Sequence, residues 1–226
     1  MLQFSTGAAM TTAITDLLTA FMILPILLVV HKIPCLDQAL KRLWFTFFLS
    51  IGAGSFLGFL AHVFTWSARS YSMLWIFLYA VLFQILYIFL RLSIHAAFGA
   101  DRPFRREKKW IGVFVALAYL LTAVLVIVGI NPIRFFVIYC IVMALPGLYL
   151  FIKMAVQQKD RAARIFLFSF LPQLPGVVFQ LLRRGEFTLI WIFDYNSIYH
   201  LCLMASVVFF YFSARRMLWE NIRYPA

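Results

Sequence analysis

Five side chains with chemistry to offer stand near the ends of long apolar runs. They are Asp16 in TTAITDLLTA, His62 in GAGSFLGFLAHVF, and Asp194, Asn196 and His200 in WIFDYNSIYHLCLMAS. Carboxylates and imidazoles are the groups that move protons near neutral pH or hold a transition metal. Asn196 and His200 are four residues apart, so on a helix they share a face. Gly54, Ser55, Gly58 and His62 return to one side in the same way, a small-residue stripe that lets a neighbouring helix come close where His62 points. Asp194 stands just ahead of an apolar run, where a carboxylate caps a helix by accepting from the free N–H groups of its first turn. A ligand or general-base role is the alternative for Asp194. Asp16 has two readings as well, a helix-end or interface group and a member of a site.

These residues need helices in lipid to position them. The chain has 226 residues, 65% of them hydrophobic, with a mean hydropathy of +0.94. A soluble globule cannot hide that much apolar surface. Seven runs, roughly 11–30, 43–65, 73–92, 110–130, 134–152, 165–182 and 195–214, are long enough to cross about 30 Å of hydrocarbon. Each is a helix, because backbone in lipid must satisfy its own hydrogen bonds. The expected fold is therefore an all-α membrane protein, a seven-helix bundle forming one domain over 1–226. The first run is not a cleaved signal peptide, since no basic segment precedes it and Asp16 interrupts it. Pro172 and Pro175 predict a kink in the sixth. Counting along the helices puts Asp16, His62, Asn196 and His200 at one depth, roughly 4–9 Å inside one face. The expectation is a single outward-opening cavity between the first, second and seventh helices.

The charge sets an orientation. Of the 20 Lys and Arg residues, 16 fall after the first, third and fifth spans or in the C-terminal tail. The positive-inside rule then puts the N-terminus outside and the C-terminus in the cytoplasm. The RPFRREKK loop reads as a partner of anionic lipid, not of nucleic acid. The loops are too short to bury a soluble core. Cys35, Cys140 and Cys202 form no CxxC pair and read as free thiols. Gln84, Gln173 and Gln180 are expected to bond between helices, and His31 and His95 to lie at the basic interface.

Seven helices, a His ending the second and a His in the first turns of the seventh resemble the alkaline ceramidase and progestin/adiponectin-receptor superfamily. The TD opening the first helix, the Gly-rich second helix and the N-x-x-x-H opening the seventh are similar to a group of small bacterial membrane proteins related to it. The resemblance implies a bacterial inner membrane and a zinc-dependent hydrolase of lipid amides or esters. His62 and His200 would be metal ligands, and Asp16 and Asp194 catalytic carboxylates, one of them completing a His₂Asp set. Asn196 and Ser55 would contact the ligand. The chain departs from the pattern at three places: Gly58 stands where a Ser is usual, Asn196 where a His is usual, and SARSYSMLW lacks the third helix's Asp. The alternative is a non-catalytic sensor or accessory protein that binds a lipid or small molecule.

Overall fold

The computed structural model describes residues 3–99, 105–182, 187–188 and 192–223, with side chains described outside 105–108, 180–182, 187–188 and 221–223. Long apolar sequence forms helix throughout: α1 (Ala8–Lys32), α2 (Gln38–Val63), α3 (Ala68–Phe98), α4 (Arg105–Ile127), α5 (Ile133–Gln157), α6 (Arg161–Phe168), α7 (Phe170–Leu182) and α8 (Tyr195–Arg223). Among the described residues, seven helical stretches are long and apolar enough to span a membrane, α6 and the first part of α7 together making the sixth. The chain is a multi-pass membrane protein. Its lipid-facing surface is apolar, with Phe21, Leu28, Phe77, Leu117, Leu145 and Phe212 all exposed.

The helices close into a ring, α1 against α2, then α3, α5, α6 and α8, with α8 returning to α1; α4 packs on the outside of α3. Rings from five of these helices meet at the centre, where Phe166 of α6 stacks on Phe151 of α5 at 3.8 Å and lies against Trp44 of α2, Phe89 of α3 and Phe210 of α8. Hydroxyls tie helices across the interior. Tyr139 donates to the Phe83 carbonyl at 2.9 Å, and Ser213 to the Ala162 carbonyl at 2.8 Å.

The expected kink in the sixth span lies earlier than the prolines that cause it. α6 ends at Phe168 and α7 starts at Phe170, so the break falls on Ser169. Pro172 has no N–H to offer the carbonyl one turn back, and its ring crowds that carbonyl. Ser206 of α8 repairs the join by donating to the Ser169 carbonyl at 2.7 Å, while Gln173 donates to the Ser206 hydroxyl at 3.0 Å. Gln173 thus makes the expected interhelical bond. Gln84 is exposed on α3 instead, and the side chain of Gln180 lies outside the described residues.

Two short antiparallel ladders sit at the end of the bundle where α1 begins. β1 (Gln3–Phe4) pairs with β2 (Phe64–Thr65), and β3 (Phe187–Thr188) with β4 (Ile192–Phe193). The first is pinned by Ser5 N–H to the Val63 carbonyl at 2.9 Å. The second leads straight into Asp194, and β4 lies against α1.

Candidate functional site

The site is built where α1, α2 and α8 meet. Thr12, Thr15, Asp16 and Thr19 recur at helical spacing along α1, and all four are buried. Thr15 and Thr19 turn their hydroxyls back on their own helix, to the carbonyls of Thr12 and Thr15, each at 2.8 Å. That is how a hydroxyl survives in an apolar interior. Asp16 has no such outlet and is only 1% exposed.

Its neighbour is His200. The imidazole Nδ1 of α8 lies 2.9 Å from Asp16 Oδ1. The two atoms are close but not aligned for a hydrogen bond, and neither Asp16 oxygen nor His200 Nδ1 has a hydrogen-bond partner among the described residues. From the other side α2 closes on the carboxylate through Gly58, where an added Cβ would stand 2.6 Å from Asp16 Oδ2 and 2.9 Å from Cγ. Glycine is required there because any side chain would occupy the space that the carboxylate fills.

His62, half-buried one turn beyond Gly58, lies within electrostatic range of Asp16, His200 and Asp194. Ser55 is buried on the same helix. The small-residue stripe admits two neighbours: Gly58 faces α1, whereas Gly54 faces Val81 and Ile85 of α3, at 3.4 and 3.7 Å.

Asp194 caps α8. Its Oδ1 accepts from the Ser197 N–H at 2.9 Å and the Ser197 hydroxyl at 2.8 Å, and from Thr12 of α1 at 3.1 Å. One carboxylate thus ends a helix and ties α8 to α1. Asn196 sits beside it, with Nδ2 3.5 Å from Asp194 Oδ2. Among the described residues, no three His, Cys, Asp or Glu side chains form a group able to hold a metal ion. The site therefore divides into an Asp16–His200 pair with His62 nearby and a capping cluster of Asp194, Ser197, Thr12 and Asn196.

The sequence reading passed over the threonines and Ser197. The signal for the first was Thr12, Thr15 and Thr19 flanking Asp16 on one face. For Ser197 it was D-x-x-S, an Asp cap and a hydroxyl three residues on. It also passed over a second Asp–His contact at the opposite end of the bundle, where His95 Nε2 lies 2.6 Å from Asp37 Oδ2. Asp37 caps α2, accepting from Ala39 and Leu40 N–H at 3.0 and 2.9 Å.

Residues 11–218 match the family described as "Family of unknown function (DUF6962)". The match takes in every spanning helix, and the chain belongs to that family. No curated protein and no solved structure matches it.

Proposed function

We propose that this DUF6962 member is a metal-dependent membrane hydrolase, holding a divalent ion of zinc type between Asp16, His62 and His200 and acting on an amide or ester of a lipid. One observation carries the reading: Asp16 and His200, from different helices, bring buried polar atoms to 2.9 Å without a hydrogen bond between them. Two ligands on one tetrahedral zinc, each about 2.0–2.1 Å from it, lie roughly 3.3 Å apart. The pair is close to that spacing, and His62 is the nearby imidazole that would complete a His₂Asp set.

Zinc bound there would supply Lewis-acid polarisation of the scissile carbonyl. The rest falls to the chain. Asp194 Oδ1 is occupied by three donors, whereas Oδ2 has the longer 3.5 Å bond from the Asn196 amide and is the oxygen that would take a proton. The Asn196 amide beside it is placed to hold a polar head group. The site lies at the end of the bundle away from most Lys and Arg, which supports an outer location with the N-terminus outside and the C-terminus in the cytoplasm. Reporter fusions within the RPFRREKK segment (residues 102–109) and at the C-terminus should both read cytoplasm, and an outside signal from either would refute this orientation.

Elemental analysis of protein purified in zinc-supplemented buffer tests the reading. Wild type should retain about one zinc per chain through dialysis, and Asp16→Asn, His62→Ala and His200→Ala should each lose most of it. Asn196→His, which restores H-x-x-x-H, should retain zinc against a weak chelator better than wild type. A folded wild type without zinc would overturn the metal reading.

The grouping of ligands favours a second reading, since no three lie together among the described residues and Ser67, Ser70 and Ser72 stand where a carboxylate would open α3. In that case the pair binds a lipid head group or small molecule without turnover, as a sensor or accessory subunit. A zinc-free wild type that a lipid extract stabilises, and an Asp16→Asn variant that it does not, would select this reading.

A further inference from the structure

A second feature lies at the far end of the bundle, between α6 and α8, and is independent of the metal reading. A groove of about 840 Å³ opens there, within the range of volumes that take a small-molecule ligand. Its walls are two antiparallel stripes. Going into the membrane, α6 presents Arg161 and Ile165, and Phe168 follows at its end; coming out, α8 presents Phe209, Phe212, Arg215 and Trp219. The sequence order is reversed between the two helices, so the polarity order in space is the same. Cations stand at the basic end, and aromatic rings lie one to two turns deeper. Phe168, Phe212 and Trp219 are each about half exposed, at 52%, 47% and 45%.

The charges at the mouth do not cancel. Four cations, Lys159, Arg161, Arg215 and Arg216, face two carboxylates, Asp160 and Glu220. Both carboxylates are engaged: Asp160 accepts from the Ala163 N–H at 3.0 Å, and Glu220 accepts from Arg216 at 2.7 Å. Lys159, Arg161 and Arg215 are exposed. Lys159 also has a φ of 54°, the single positive value at a non-glycine among the described residues. A lysine in a turn position that glycine or asparagine fills at less strain directs attention to its charge.

A cationic mouth over an aromatic trough, its long axis along the membrane normal, matches one class of molecule. We infer that the groove binds a single anionic phospholipid, with its phosphate at Lys159, Arg161 and Arg215 and an acyl chain along Phe168, Phe212 and Phe209. Trp219 sits at the head-group level, where its amphipathic ring belongs. A zwitterionic head group brings its own cation to the mouth and loses that advantage. From Arg215 to Phe209 the groove runs about 9 Å along α8, which lies within the ~15 Å of hydrocarbon in one leaflet.

The test uses the full chain in neutral detergent and lipids carrying bromine on the acyl chains, which quench tryptophan on contact. Subtracting wild type from Phe212→Trp isolates the signal of a tryptophan beside the acyl chain. Brominated phosphatidylglycerol should quench it at a concentration at least tenfold below brominated phosphatidylcholine, each basic contact contributing roughly fivefold. The K159Q/R161Q/R215Q variant should lose that preference, whereas R69Q/R134Q, at the opposite end, should keep it. Equal quenching by the two lipids would overturn the inference, as would a triple variant that keeps the preference. Displacement by soluble glycerol phosphate at matching concentration would also overturn it, in favour of a free phosphate ligand. Should the triple variant fail to fold, salt decides on wild type: the preference must fall between about 0.05 and 0.5 M, because exposed phosphate contacts are screened. Persistence at high salt refutes the inference.

Discussion

Gly58 gives the sharpest test of how the buried carboxylate is held. In Gly58→Ala the new Cβ would lie 2.6 Å from Asp16 Oδ2, 2.9 Å from Cγ and 3.1 Å from Oδ1. Ordinary contact begins at 3.4 Å, so the closest approach is short by 3.4 − 2.6 = 0.8 Å. The whole end of Asp16 is struck, and its 1% exposure leaves it little room to move. Overpacking of this kind costs about 1–3 kcal/mol, against a gain of about 1 kcal/mol from replacing glycine by alanine inside a helix.

A double-mutant cycle separates the two effects. Asp16→Ala removes the atoms that are struck, so in that background Gly58→Ala should keep only the helix gain and stabilise by up to about 1 kcal/mol. The coupling between the two substitutions should then be about 1–3 kcal/mol. Reversible unfolding in mixed micelles measures all four proteins. Gly54→Ala serves as the control, because its Cβ would meet Val81 at an ordinary 3.4 Å and should be neutral or stabilising. A coupling below about 0.5 kcal/mol would mean that α2 does not press on Asp16, and the site geometry would be wrong.

Two further predictions concern the joints of the bundle. Ser206→Ala removes the hydroxyl that bridges Ser169 and Gln173 across the broken sixth span and should cost about 0.6–1.7 kcal/mol in the same unfolding assay, the range for interhelical hydrogen bonds in membranes; Ser206→Thr should recover most of it. At Asp37, burial, the largest single influence, pushes the carboxyl up, but the Leu40 N–H, His95 and the Ala39 N–H together hold it below its ordinary 3.8. A depressed carboxyl stabilises the fold fully above its unfolded value and loses that contribution as pH falls through the folded one. The stability difference between wild type and Asp37→Asn should therefore shrink as pH falls below about 4, and a difference that persists undiminished to about pH 2 would refute the depressed carboxyl.

The bundle itself was legible because lipid leaves a chain few options. Long apolar runs can only be helices, and each of the seven expected spans falls on helix, the sixth divided between α6 and α7. Helix ends were less legible. α3 runs over Ala68–Phe98, well past the expected 73–92, because apolar counting stops at Arg91 whereas the helix stops at Gly99, whose φ of 73° ends it. The layer of polar residues could be read from depth, and Asp16 and His200 do meet. What depth could not give was which carboxylate belonged to which histidine. That choice turns on rotation about the helix axes, and it gave Asp16 to His200 and Asp194 to Ser197 and Thr12. The groove at the other end was invisible for the same reason: its two stripes, ending at Phe168 and starting at Phe209, stand about 40 residues apart in sequence, and nothing in either names its partner.

Among the described residues, two Asp–His contacts stand at opposite ends of the bundle and differ in how fully they are satisfied. At Asp37 the carboxylate meets His95 at hydrogen-bond geometry and also accepts from two backbone N–H groups. With side chains 12% and 18% exposed, that pair is satisfied as it stands. It holds α3 to the head of α2 and asks for nothing more. Asp16 is 1% exposed, and neither of its oxygens has a hydrogen bond among the described residues. An ionised carboxylate left so costs several kcal/mol, and the glycine that makes room for it gives up about 1 kcal/mol of helix propensity as well. Packing alone has no need of a carboxylate at position 16. A chain that carries the acid, clears space around it and sets an imidazole 2.9 Å away carries a cost that positive charge or a proton at this pair would offset. That unbalanced carboxylate is what supports the site proposed at the Asp16–His200 pair.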